Sequence, residues 1–189
     1  MSPSRLRAPV IAALCLLLAG SLAACGNQQP TRTQADTEGP YLDVGALKYQ
    51  VQVSRQLNPA DIEDQVYLRG VAPADSRLRP DETWFAVFVR AVNEGDRAEP
   101  AAPSFEILDT QGRRFSPVPI SANPFAYRPA RVPPGGSLPA FGSAADLSPI
   151  GGSLVLFKLT LTALANRPLE LVIRSGQRPA AEGTVELDV

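Results

Sequence analysis

The sequence predicts an all-β fold, a β-sandwich of seven or eight short strands, on three observations. Beyond Tyr41 the apolar residues recur with period 2 rather than 3.6. Short apolar runs are separated by turn and loop signals. The 19 prolines and 14 glycines among 189 residues interrupt the chain too often for an amphipathic helix of useful length, and no internal repeat is present. A closed barrel is the second architecture these observations allow.

The strands follow in order. Leu47, Tyr49, Val51 and Val53 alternate with Lys48, Gln50, Gln52 and Ser54, one apolar and one polar face, as in a half-exposed strand. Residues 58–61 read as a turn or a single helical turn, since Asn58 can cap and Pro59 fits a first helical position. Residues 66–68 read as a short strand and 73–80 as a loop. Residues 84–92 (WFAVFVRAV) are apolar on both faces and rich in aromatic and β-branched types, which predicts a central strand covered on both sides, with Trp84 in the core. Residues 93–96 make a turn. Residues 105–108 and 113–118 flank Asp109, Thr110, Gln111 and Gly112, a hairpin connection with Gly where a positive φ is needed. Prolines crowd residues 117–149; they remove backbone donors and fix φ, so long loops and edge structure are expected there. Residues 153–159, 169–173 and 184–189 complete the strands, and 161–165 form a short helical turn before Asn166 and Pro168.

At the N-terminus, Arg5 and Arg7 precede an apolar stretch over residues 8–24, the layout of a secretory signal. Pro9, Gly20, Ser21 and a length of about 17 residues, against roughly 20 for a comfortable span, favour a signal peptide over a membrane helix. The run Leu22, Ala23, Ala24, Cys25, Gly26 resembles the lipobox of bacterial lipoproteins. That resemblance implies a diacylglyceryl group on the Cys25 sulfur and cleavage between Ala24 and Cys25. Two acyl chains then give stable attachment where one gives only reversible binding. The plainer readings are a secreted protein with a stray thiol at Cys25, or an uncut anchor. The expected organisation is a signal peptide over 1–24, lipidated Cys25 and a flexible linker over 25–40, and the β-sandwich over 41–189. Residues 26–40 contain no aromatic and no aliphatic side chain larger than Ala, so they bury too little surface to offset their ordering entropy.

Composition closes most chemistry. Histidine is absent, which excludes Ser-His-Asp and Cys-His nucleophile systems. Cleavage removes Met1 and Cys15 and leaves one alkylated cysteine, so copper, zinc and iron lack ligands and no internal disulfide can form. No basic cluster exceeds the pair Arg113 and Arg114, which argues against nucleic acid as a partner. Of the 18 basic residues cleavage takes Arg5 and Arg7, leaving 16 against 19 acidic ones, a net side-chain charge of -3. A mildly acidic surface has no attraction of its own for anionic headgroups.

Asp61, Glu63 and Asp64 offer oxygen ligands that could take calcium, but the spacing is not that of an EF-hand and a solvated turn is the plainer reading. No carboxylate pair stands out for glycoside hydrolysis. The sequence Asn123, Pro124, Phe125, Ala126, Tyr127, Arg128 places two aromatics and an Arg in a proline-rich loop, types enriched at binding hot spots. Phe125, Tyr127 and Arg128 are therefore candidate partner contacts. The plainer reading is that Phe125 and Tyr127 fold back over an open end of the sandwich, since apolar side chains are more often inside. Arg113 and Arg114 point alternately, as a solvated pair would.

The alternating first strand, the WFAVFVRAVN run over 84–93, the FEILDTQGRRF hairpin over 105–115, the PPGG turn over 133–136 and the LVLFKL strand over 154–159 resemble the DUF4352-type immunoglobulin-like domains of bacterial lipoproteins, over about residues 41–175. The preference for Arg over Lys is similar to that of lipoproteins from high-GC actinobacteria. The resemblance implies an immunoglobulin-like sandwich outside the cytosol and brings no catalytic residues. The expected protein is a non-catalytic module without cofactor or metal, held to the membrane by lipid at Cys25 and binding another envelope protein or component. The alternative is a small-ligand or solute-binding lipoprotein using a cleft between the loops of 122–149 and the sheet edge. A carboxylate hydrolase is third.

Overall fold

The double-sided apolar run around Phe85 and Phe88 is the centre of the molecule. The structure, a computed structural model, describes residues 30–189; the signal segment, the lipobox residues Leu22, Ala23 and Ala24, and Cys25 lie outside the described residues. In chain order the elements are β1 (Gln34–Ala35), β2 (Leu42–Val44), β3 (Leu47–Leu57), α1 (Ile62–Leu68), β4 (Glu82–Val92), β5 (Glu99–Pro100), β6 (Ser104–Leu108), β7 (Arg114–Phe115), β8 (Arg131–Val132), β9 (Ser137–Leu138), β10 (Ser153–Thr160), α2 (Leu161–Ala165), β11 (Leu169–Arg174) and β12 (Glu182–Leu187). One sheet runs β1-β12-β11-β6-β7; the second runs β10-β4-β3-β2 with β9 paired to the end of β4; β5 and β8 form a ribbon. The pairing of β1 with β12 is parallel, while the long ladders of both sheets are antiparallel.

The two sheets pack face to face as a β-sandwich. Phe85, Val87 and Val89 of β4, Tyr49 of β3 and Phe157 of β10 meet Ile107, Leu171, Ile173 and Val185 of the opposite sheet in the inner core. The alternate side chains of β4, Trp84, Ala86 and Phe88, join Leu57, Leu154, Leu156 and Tyr67 in an outer core. Val71, Leu78, Val118, Ile120 and Phe125 from the loops, and α1 through Tyr67, cover it. The β4 sheet is thus buried on both faces, as its sequence requires. The other sheet keeps a charged outer face, where Arg174 bridges Glu106 at 3.1 Å and Glu182 at 2.7 Å.

The hairpin forms at the expected turn, but its second arm is only Arg114–Phe115 where 113–118 was expected. Asp109 accepts from the amides of Gln111 and Arg113, both at 2.9 Å, and Gly112 takes φ +75°. Three expectations are corrected. Residues 66–68 are not a strand but the last turn of α1; Asp61 caps that helix by accepting from the Glu63 amide at 2.8 Å, and Tyr67 packs on the outer core. A three-residue apolar run is too short to show its period, so packing decided the matter. Second, the alternation of β3 breaks at a bulge between Val51 and Val53, which puts Val51 in the inner core and Val53 against the outer one.

Third, the linker assigned to 25–40 ends earlier, because the compact domain begins at Thr31. Gln34 and Ala35 add an edge strand to β12, Thr37 donates to Asp188 at 2.8 Å, and Glu38 accepts from the amides of Ser54 at 2.9 Å and Asp188 at 3.1 Å. This segment docks through backbone pairing and polar bonds rather than apolar burial, a route that composition does not reveal.

Candidate functional site

The proline-rich loop singled out above is fastened by Asn123, which is 3% exposed. Its Nδ2 donates to the carbonyls of Val66 at 3.0 Å, Tyr67 at 3.2 Å and Arg69 at 2.9 Å, satisfying the C-terminal end of α1. Its Oδ1 accepts from the Phe125 amide at 2.9 Å. The chain then runs along β10: Leu154 donates to the Phe125 carbonyl and Tyr127 donates to the Leu154 carbonyl, each at 2.7 Å.

This path turns both aromatics inward. The Phe125 ring lies edge-on to Tyr67 at 5.3 Å, and Tyr67 edge-on to Phe88 at 5.0 Å. The Tyr127 ring lies edge-on to Phe105 at 4.7 Å, and its hydroxyl donates to the Ala102 carbonyl at 2.9 Å. Tyr49 accepts from the Ala102 amide at 2.5 Å. Burial pushes the Tyr127 phenol up, and neighbouring Tyr49 pushes it further. Phe125 and Tyr127 therefore serve as covers for the two cores. Of the three candidate contacts only Arg128 is exposed, donating to the Ile120 carbonyl at 3.4 Å.

Where this loop crosses the sheets it leaves a groove of about 290 Å³, lined by Phe105, Pro117, Pro119, Tyr127, Pro129 and Leu156 among others. A second hollow of about 200 Å³ is walled by Pro124, Arg128, Leu138, Ala145 and Ser153. Both lie between the proline-rich loops and the sheets, and both are below the usual size of a small-molecule site. Their walls are apolar and rich in proline, with Arg128 as the charged group. That arrangement suits a contact surface or a small extended ligand and presents no acid-base pair.

The acidic trio does not converge. Asp61 caps α1, while Asp64 accepts from Arg55 at 2.5 Å and from the Asn58 amide at 2.7 Å. Arg55 in turn lies 5.8 Å over the Tyr67 ring. Among the described residues no group of three His, Cys, Asp or Glu is placed to hold a metal ion. Arg113 pairs with Asp109 at 2.7 Å and Arg114 with Glu106 at 2.5 Å. Sequence reasoning placed residues 139–149 only among the loops of a possible cleft and did not single out Phe141, 95% exposed, or Leu147, 73% exposed. The signal in the loop of residues 139–152 was Phe141 and Leu147 among mostly small residues, with Ile150 the third large apolar side chain and Asp146 the single charge.

Three carboxylates are held below their ordinary range. Burial alone would raise Asp64, Glu106 and Asp109, but hydrogen bonds and the guanidinium charges of Arg55, of Arg174 and Arg114, and of Arg113 respectively outweigh it. Glu38 goes the other way, raised by burial. A carboxyl lowered in the folded state contributes stability above its unfolded value that is lost as pH falls, whereas the Glu38 contribution is lost as pH rises. The three outnumber the one. The urea midpoint is expected to fall as pH drops below about 4, the unfolded carboxylate range, and Asp109→Asn should lower stability at neutral pH while making that acid decline shallower. An unchanged acid slope in Asp109→Asn would refute the assignment.

The fold and its loops define a two-core β-sandwich. No family model and no curated protein matches the chain. Among solved structures it is similar to the yjhA protein of Bacillus subtilis, at 11% identity over 81% of this chain and 99% of that one, with TM-score 0.46. It is also similar to ycdA of Bacillus subtilis subsp. subtilis str. 168, titled a putative lipoprotein, at 9% identity over 77% of this chain and 38% of that one, with TM-score 0.49.

Proposed function

We propose that the chain is a lipid-anchored extracytoplasmic lipoprotein whose β-sandwich, of the DUF4352 immunoglobulin-like type its motifs resemble, binds another envelope protein or component without catalysing a reaction. The observation that carries this reading is the run Leu22, Ala23, Ala24, Cys25 placed just ahead of Thr31, where the folded domain begins. The chemistry of the domain supports binding over catalysis. The chain has no histidine, and Asp64, Glu106, Asp109, Asp146 and Glu182 are all paired with arginines. Among the described residues no helix is long and apolar enough to cross a membrane. Attachment is assigned to lipid at Cys25 on the likeness of Leu22, Ala23, Ala24, Cys25 to a lipobox.

Wild-type protein is expected in the membrane fraction with a mass that begins at diacylglyceryl-Cys25. Cys25→Ser should lose both the lipid mass and the mature membrane-bound form. A Cys25→Ser protein that stays in the membrane at mature size would overturn the anchor. The paired hollows beside Tyr127 and Arg128 favour a second reading, a small-ligand-binding lipoprotein. A thermal-shift screen separates the two: stabilisation by a sugar, a peptide or Ca²⁺ supports the second, and co-purification of a membrane protein without such a shift supports the first.

A further inference from the structure

We infer that the loop of residues 139–152 is a membrane-contacting element that lays Phe141 and Leu147 into the apolar edge of the bilayer that holds Cys25. This rests on the lipid-anchor reading above. Phe141 is 95% and Leu147 73% exposed, although the loop around them is well tied. Gly142 donates to Asp146 Oδ2 at 2.9 Å, Leu147 donates to the Ser143 carbonyl at 2.9 Å, and Arg90 binds both Asp146 and the Gly151 carbonyl at 3.3 Å. Two large apolar side chains are thus held outward by a closed loop. Asp146, the loop's one charge, is spent on Arg90, and its side chain is only 10% exposed. What the loop offers to its surroundings is apolar and neutral.

The sheet register says which surface it meets. Asp43 pairs with Lys48, Lys48 with Val92, and Val92 with Ser137, one continuous row across the β4 sheet. Arg32 joins that row, its amide donating to Asp43 Oδ2 at 2.8 Å and its carbonyl accepting from the Asp43 amide at 2.6 Å. The chain therefore enters the domain and leaves for the Phe141 loop at the same level, about 19 Å apart across four strand spacings. From Cys25 to Thr31 the covalent chain reaches at most about 20 Å. A lipid on Cys25 then keeps the Thr31 end of this row within about 20 Å of the bilayer surface, and Phe141 lies four residues beyond the row's other end at Ser137. The other strongly exposed apolar residues, Ile62 and Leu161, follow the opposite end of the sheet, beyond Leu57 and Thr160, where Leu57 pairs with Trp84 and Thr160 with Glu82. With a net side-chain charge of -3 after cleavage, the contact is apolar and should not weaken with salt.

The test uses the full lipidated protein reconstituted in phosphatidylcholine vesicles. Cysteines introduced as Phe141→Cys, Leu147→Cys and Ile62→Cys are labelled with an environment-sensitive fluorophore, which alkylated Cys25 will not take. Blue-shifted emission quenched by nitroxide-bearing phospholipid at 141 and 147, unchanged by salt and absent at 62, is expected. Fully burying each apolar side chain is worth about ten- to a hundred-fold in partitioning, so Phe141→Ser with Leu147→Ser should free a fluorophore on Ser143→Cys from the quencher. An anchored protein whose labels at 141 and 147 behave like that at 62 overturns the loop contact alone. So would photocrosslinks from 141 in cells that reach protein instead of lipid. A mass showing bare Cys25 overturns the anchor and the proposal with it.

Discussion

Replacing Phe88 by Ala is expected to lower the free energy of unfolding by about 3–5 kcal/mol, as much as replacing Phe85 by Ala. The two rings leave opposite faces of β4, and both are essentially inaccessible, Phe85 at 0% and Phe88 at 1%. In a sandwich with one solvated outer face, the outward ring would be the cheaper one to lose. Here Phe88 is covered by Tyr67 of α1 at 5.0 Å and by the loop residues around Ile120 and Phe125, so truncation opens a cavity on either side. Urea unfolding followed by the fluorescence of Trp84, the chain's one tryptophan and itself in the outer core, measures both variants with one reporter. A loss below about 1 kcal/mol for Phe88→Ala, within the range of surface substitutions or little above it, would mean that the outer layer is not a packed core.

That double burial was legible in the sequence, and what covers the outer face was not. The run 84–92 carries apolar side chains at both parities, which only a strand between two layers can use. The hairpin was legible for a similarly local reason: Asp109 and Gly112 act within four residues of each other, so turn chemistry suffices. The outer layer depends on Asn123, whose partners at Val66 and Arg69 lie 57 and 54 residues away. No local pattern announces such a bond. Phe125 and Tyr127 fold back as the plainer reading of those loop aromatics has it, while the Asn123 bonds that turn them inward could not be read. Asn93 is a parallel case: fully buried, it donates to the Val132 carbonyl at 2.8 Å and to the Arg97 carbonyl at 2.6 Å, and the sequence shows only a turn residue. The docked segment from Thr31 to Pro40 escaped notice because edge pairing needs no apolar side chains.

Gly70→Ala tests the attachment of that outer layer directly, and its expected cost is about 2–5 kcal/mol, the sum of backbone strain and overpacking. Gly70 has φ +84°, and a Cβ placed there would sit 1.7 Å from the Ser121 carbonyl oxygen. The obstructing atom is backbone, so no rotamer change relieves it. The Ser121 amide also donates to the Gly70 carbonyl at 2.8 Å, which means the two segments meet edge to edge. Either the helix C-terminus or the proline-rich loop must shift, and the loop carries Asn123, Phe125 and Tyr127 with it. The loss should therefore extend beyond stability to the groove lined by Tyr127 and Pro119, so that any ligand or partner using that groove binds Gly70→Ala less well. Gly112→Ala is the matched control, with φ +75° and nothing within 4 Å of its added Cβ, so it bears the strain alone, about 1–2 kcal/mol. The difference between the two variants measures the close approach of Gly70 to Ser121. Equal losses in urea unfolding would show that the loop stands off from α1 in solution and that the groove is not a fixed feature of the surface.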